Sequence, residues 1–124
     1  MTDLFADSYA IVAYLEGDER YVRIFERRSL VTSALNVLEV YATLLLGIDV
    51  VEARKIAMSL LALVVPVPAE VALSAAEFRH AMRARKRNCS YVDAWGYAAA
   101  GHLRARFLTG DTAFRGIENV EFVN

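Results

Sequence analysis

Cysteine, proline and histidine are nearly missing from this chain, which holds one, two and two of them in 124 residues. A lone Cys89 closes no internal disulfide, so the sequence is expected in a reducing cytoplasm. His80, His102 and Cys89 are too few and too scattered for the nitrogen–sulfur ligand set that zinc takes. Neither histidine has a partner acid at a spacing that marks a catalytic pair. A membrane span is lacking too. The longest charge-poor stretch, residues 29–48, is long enough to raise the question, but Asn36 and Glu39 stand in its middle and Ser33 reads as a helix cap that splits it. Asp3 and Asp7 sit where a secretory leader would carry basic residues, so no leader is expected. Repeats, low-complexity segments and linkers are absent. Net charge is −1, so no global excess speaks for or against nucleic acid, and local clustering has to decide.

What the chain has in abundance is apolar side chain, 56% of its residues, against a usual share of about 45–50%. Either its core is generous or some apolar surface meets a partner. The length suits one domain, residues 1–124, that buries about two-thirds of its unfolded surface.

The apolar pattern predicts strands at residues 4–6, 30–32, 63–65, 107–109 and 120–123. Helices are predicted at 9–15, 19–28, 33–46, 50–61, 69–85 and 90–102. Asp7 or Ser8, Ser33 and Ser90 open three of them, and Gly47 is expected just past the end of the third, in the position that favours a left-handed residue. Pro66 and Pro68 stop the third strand, since neither can donate to a ladder. Strands alternating with helices imply a layered α/β domain with a parallel sheet and right-handed crossovers.

In such a sheet ligands bind at the carboxyl ends of the strands. Asp7 follows the first strand and Asp111 the fourth, each with a plain alternative as helix cap or turn residue. Glu39 is the only charge between Arg28 and Asp49, and Asp93 the only formal charge between Arg87 and Arg104. Small residues on the Asp93 face, Gly96 and Ala100 among them, predict close helix packing. A buried, unpaired carboxylate costs several kcal/mol or becomes neutral. Four acids in apolar segments have a common explanation in a hard cation such as Mg²⁺ or Mn²⁺, which takes carboxylate and water oxygens.

These segments resemble PIN domains, especially the small toxin nucleases of VapBC toxin–antitoxin pairs. The resemblance rests on Phe5–Ala6–Asp7–Ser8 with Leu15, on Thr32–Ser33 with Asn36, Leu38 and Glu39–Val40, on Ser90–Tyr91–Val92–Asp93–Ala94 leading to Ala98–Ala99, and on Leu108–Thr109–Gly110–Asp111 with Phe114. Together they span nearly the whole chain in order. The resemblance implies a three-layer domain with a central parallel five-stranded sheet flanked by helices. It further implies Asp7, Glu39, Asp93 and Asp111 as catalytic and metal-holding acids, with Ser8 and Thr109 as supporting hydroxyls. Its expected partners are an RNA substrate, a VapB-type antitoxin across a groove beside the active site, and a second copy in a homodimer. Many relatives carry another acid two places after the last aspartate. Ala113 stands there in this chain, which puts a second metal ion in doubt.

The expected chemistry is RNA hydrolysis by a metal-activated water, with Glu39 either a ligand or a group that orients the water. Arg83, Arg85, Lys86 and Arg87, just before the Asp93 helix, are candidates for holding phosphates, or are cations drawn to a helix C-terminus. Arg104, Arg106 and Arg115 are weaker candidates. Tyr9 and Tyr91 are candidates for stacking on bases, against core or interface packing, and Trp95 and Tyr97 read as packing or dimer residues. Two alternatives stand beside the nuclease. One is a PIN-fold binding module that lost catalysis, which Ala113 keeps open. The other is a receiver-like phosphoacceptor domain, disfavoured by the proline-bounded third strand and by the lack of any lysine after Lys86.

Overall fold

A computed structural model describes residues 4–124; Asp3 lies outside the described residues. Four parallel strands run β1 (Leu4–Ala6), β2 (Leu30–Val31), β3 (Arg106–Thr109) and β4 (Val120–Phe122), in the spatial order β2-β1-β3-β4. The register sets Leu4 beside Leu30 and Arg106, and Phe107 beside Val120. Six α-helices connect and cover them: α1 (Ser8–Leu15), α2 (Glu19–Arg27), α3 (Ala34–Gly47), α4 (Val50–Leu60), α5 (Val71–Ala84) and α6 (Tyr91–His102).

The alternation of side chains along the strands sorts the core into two layers. Leu4, Ala6 and Leu108 face a cluster with Ile11, Tyr21 and Val40, under α1 to α4. Phe5 and Phe107 face the other side, with Met82, Ala94, Ala99 and Phe114, under α5 and α6. The sheet is thus the middle of three layers.

Among the described residues the sheet has four strands where five were expected. Residues 61–63 coil into a 3-10 turn that continues α4, so the Val64 N–H turns back to the Leu61 carbonyl. Pro66 follows two residues after Val64. What remains of the expected third strand is one isolated parallel bridge between Thr32 and Val64, beside the β2 edge. Gly47 also differs from expectation: it is the last residue of α3, and Ile48 caps the helix in an extended conformation.

Because every strand is parallel, all carboxyl ends lie at one edge of the sheet. Three helices begin there, each with a side-chain cap that the sequence spells out. Asp7 accepts from the Ala10 N–H, Ser33 from the Asn36 N–H and Ser90 from the Asp93 N–H. The apolar excess is only partly consumed by the core: Leu38, Leu46, Val51 and Met58 on α3 and α4 stand mostly exposed.

Candidate functional site

Asp7 is the innermost acid of this edge. Its backbone N–H donates to the Leu108 carbonyl at 3.2 Å, and its Oδ1 accepts from the Ala10 N–H at 2.8 Å. The side chain is fully buried. Burial pushes its carboxyl up to about 8, and the charges of Asp93 and Asp111 add to the rise, while the Thr109 hydroxyl and the Ala10 N–H oppose it. The Thr109 hydroxyl therefore supports Asp7 directly. Its Oγ1 also accepts from the Asp111 N–H at 3.1 Å, so one buried threonine links the acids that follow β1 and β3.

Asp93 lies in the first turn of α6. Its Oδ2 accepts from the Ser90 N–H at 3.2 Å, the Ser90 hydroxyl accepts from the Asp93 N–H at 3.0 Å, and the pair forms a capping box. The Ser90–Asp93 spacing is itself the sequence signature of this structural role. Burial still holds the Asp93 carboxyl above its ordinary value, with Asp111 and Glu39 contributing, against the Ser90 hydrogen bonds. Asp111 is half-buried and opens a short 3-10 turn, its Oδ1 accepting from the Ala113 N–H at 2.9 Å. Glu39 is half-buried on α3, and of the acids its field reaches Asp93.

The four acids thus share one electrostatic neighbourhood. Among the described residues, however, no three acidic, histidine or cysteine side chains form a ready-made metal-holding group. Asp93 and Asp111 line one cleft of about 520 Å³, together with Lys86, Arg87, Ser90 and Arg115. Asp7 and Glu39 do not line it. Oxygen is the only donor type the acids offer, which suits Mg²⁺ or Mn²⁺ rather than zinc.

Two residues take roles in the structure that the sequence did not show. Asn36, fully buried, is a hub: its Oδ1 accepts from the Ser33 hydroxyl at 2.6 Å and its Nδ2 donates to Ser8 Oγ at 3.2 Å. Trp95 donates its indole N–H to Ser33 Oγ at 3.1 Å. Ser8 is thereby part of a network joining α1, α3 and α6 at the strand ends. The second residue is Arg87, whose Nη1 donates to the carbonyls of Ala113 at 2.9 Å and Arg115 at 2.6 Å. Of the cluster of four cations, Arg83 and Arg85 are exposed and outside the cleft, while Lys86 and Arg87 line it.

The tyrosines divide in the same way. Tyr9 packs on Tyr21 with ring centroids 6.2 Å apart and crowds Gly110, where a Cβ would stand 2.5 Å from the Val123 carbonyl oxygen and closer still to the Tyr9 ring. Tyr91 is 74% exposed and carries the Arg79 guanidinium 4.1 Å over its ring. Tyr97 is a packing residue, stacked on Phe78 at 4.1 Å.

Comparison with known proteins gives a family and a fold. The family profile described as PIN domain matches residues 4–120. No curated protein matches the sequence. Among solved structures, a toxin–antitoxin complex from Klebsiella pneumoniae is similar at 18% identity and TM-score 0.78, covering 97% of this chain and 96% of that one. VapBC-1 from nontypeable Haemophilus influenzae is similar at 14% identity and TM-score 0.76, covering 99% and 98%. FitAcB from Neisseria gonorrhoeae is similar at 19% identity and TM-score 0.74, covering 98% and 96%. At these identities the likeness is one of fold.

Proposed function

The chain belongs to the PIN-domain family, and on that footing we propose that it is a Mg²⁺- or Mn²⁺-dependent endoribonuclease, the toxin of a VapBC-type pair. One observation carries the reading: a fully buried Asp7 at the carboxyl ends of the strands, its carboxyl raised to about 8 and coupled to Asp93 and Asp111. A carboxyl buried at such cost for packing alone is uneconomical, whereas a divalent cation turns it into a ligand.

Asp7, Asp93 and Asp111 would hold the ion, directly or through water, with Glu39 as a further ligand or as the group that orients the attacking water. A bound ion supplies an activated water and neutralises charge on the phosphate. The chain's own residues do the rest. Thr109 holds Asp7 and the Asp111 backbone together. Ser90 orients Asp93 through the capping box. The Ser8–Asn36–Ser33–Trp95 network fixes the starts of the three helices that frame the acids. With Ala113 in place of a further acid, these residues would hold one ion and leave a second open.

The exposed apolar residues of α3 and α4 support a protein partner. A VapB-type antitoxin and a second copy of the chain are the partners the family suggests. Of the similar structures named above, the one from Klebsiella pneumoniae is a toxin–antitoxin complex and the one from Haemophilus influenzae is VapBC-1. No helix among the described residues is long and apolar enough to cross a membrane, and we place the protein in the cytoplasm.

The test is cleavage of single-stranded RNA with Mg²⁺ or Mn²⁺, with and without EDTA, by the wild type and by Asp93→Asn. Cleavage should require the cation and vanish in the variant, which keeps an oxygen able to cap α6. Metal-dependent cleavage by pure Asp93→Asn would refute the assignment. RNA binding without cleavage by the wild type would favour the non-catalytic module that Ala113 keeps open.

A further inference from the structure

The cleft of about 520 Å³ is bipolar. Asp93 and Asp111 line it, and so do Lys86, Arg87 and Arg115. A chain with a net charge of −1 has no general positive field to offer a polyanion. Two carboxylates beside a phosphodiester repel it across the roughly 8 Å over which charges act at physiological salt. Cations in the same cleft offset that repulsion.

The three cations are not equivalent. Arg87 Nη1 is committed to the Ala113 and Arg115 carbonyls. Among the described residues, neither Lys86 nor Arg115 takes part in an ion pair. The Arg115 side chain and the Lys86 backbone are nevertheless held in place. The Arg115 carbonyl is gripped by Arg87, and its guanidinium lies 4.7 Å over the Phe122 ring. Lys86 adopts a left-handed conformation, φ 58°, with its N–H on the Arg83 carbonyl at 2.9 Å. That turn ends α5 and carries residues 86 and 87 into the cleft, while Arg83 and Arg85 stay outside it. A side chain held before binding, as that of Arg115 is, loses less freedom on binding, and a guanidinium fork suits phosphate oxygens.

We propose that Lys86 and Arg115 form a phosphate subsite in the cleft of Asp93 and Asp111, taking a backbone phosphate of single-stranded RNA next to the one cleaved. The subsite rests on the nuclease reading above, but its test does not need cleavage. A fluorescent single-stranded RNA oligonucleotide is titrated with the full chain in EDTA, from about 50 to 200 mM salt, and anisotropy gives affinity against salt. Two double variants remove the same charge: Lys86→Ala/Arg115→Ala inside the cleft and Arg83→Ala/Arg85→Ala outside it.

The cleft pair should flatten the slope of log affinity against log salt by about 1.4, since each single-strand phosphate contact contributes roughly 0.7. It should also raise KM with kcat nearly unchanged. The outer pair should bind as wild type does. An unchanged slope in the cleft pair, or an equal loss in both pairs, overturns the subsite. If the wild type cleaves no RNA with either cation while the cleft pair alone flattens the slope, the nuclease reading fails and the subsite stands. Should the cleft double variant melt early, the single variants Lys86→Ala and Arg115→Ala carry the same test at about half the slope change.

Discussion

The indole N–H of Trp95 donates to Ser33 Oγ at 3.1 Å and ties α6, which carries Asp93, to the residue that opens α3. Ser33 passes the link to Asn36, and Asn36 to Ser8. Trp95→Phe keeps an aromatic ring but removes the donor and the indole's five-membered ring. It should cost about 1–2 kcal/mol, and a few degrees of melting temperature. Asn36→Ala strands two hydroxyls and leaves a buried gap, so it should cost more, about 3 kcal/mol. Denaturant melts of both variants check the order; a Trp95→Phe protein as stable as wild type would show the link to be slack.

Asp7 makes stability and metal binding depend on pH in a definite sense. Its folded value of about 8 lies above the ordinary 3.8. A raised carboxyl contributes stability that is complete below the unfolded value and is lost as pH rises through the folded one. The metal-free protein should therefore lose stability between about pH 4 and 8. Asp7→Asn, which mimics the neutral form and remains a good N-cap, should flatten that decline. At pH 7 the carboxyl is mostly protonated, so Mn²⁺ binding should expel a proton and tighten as pH rises toward 8. Calorimetry in two buffers of different ionisation enthalpy counts that proton; a count of zero would remove Asp7 from the ligand set.

Arg87 spans from the connector before α6 to the segment after Asp111. Its Nη1 holds the Ala113 carbonyl, and the Ala113 N–H holds Asp111 Oδ1. Arg87→Ala should release this segment and cost about 1–3 kcal/mol, because two carbonyls lose a charged donor. Mn²⁺ affinity measured without RNA should fall, and Arg87→Lys should restore part of it. Unchanged affinity in Arg87→Ala would mean that Asp111 holds its place without the tether.

Much of this arrangement was written in short-range signals. Capping residues Asp7, Ser33 and Ser90 stand where strand ends meet helix starts, and their hydrogen bonds span only three residues. Gly110 stood in the last of the four motifs, and Tyr9 and the Val123 carbonyl are what crowd it. The expected strand at residues 63–65 failed for a local reason as well: an apolar run after a helix can extend that helix as a 3-10 turn as readily as it starts a strand. What could not be read was contact between segments distant in sequence. Arg87 meets Ala113 across 26 positions and Trp95 meets Ser33 across 62, and nothing in either neighbourhood announces the partner. Arg115 ranked as a weak candidate because its place in the cleft depends on that tether.

Two glycines of α6 should answer alanine with opposite signs. At Gly96 a Cβ would stand 3.0 Å from the Phe107 ring and 3.2 Å from the Phe5 ring, two buried aromatics of the sheet. Neither ring has room to retreat, since Phe107 also packs on Phe114 at 4.9 Å and on Tyr97 at 5.7 Å. Gly96→Ala should cost about 1–3 kcal/mol, as overpacking does, and should lift α6 from the sheet. Asp93, one turn earlier, moves with it, so the metal-dependent rate should fall beyond what stability alone explains. At Gly101 a Cβ meets nothing within 4 Å. Gly101→Ala should therefore stabilise the helix by about 0.5–1 kcal/mol and leave the rate alone. Thermal melts paired with cleavage rates separate the two effects. Were Gly96→Ala to melt with Gly101→Ala, close packing of α6 on Phe5 and Phe107 would not be what sets the position of Asp93.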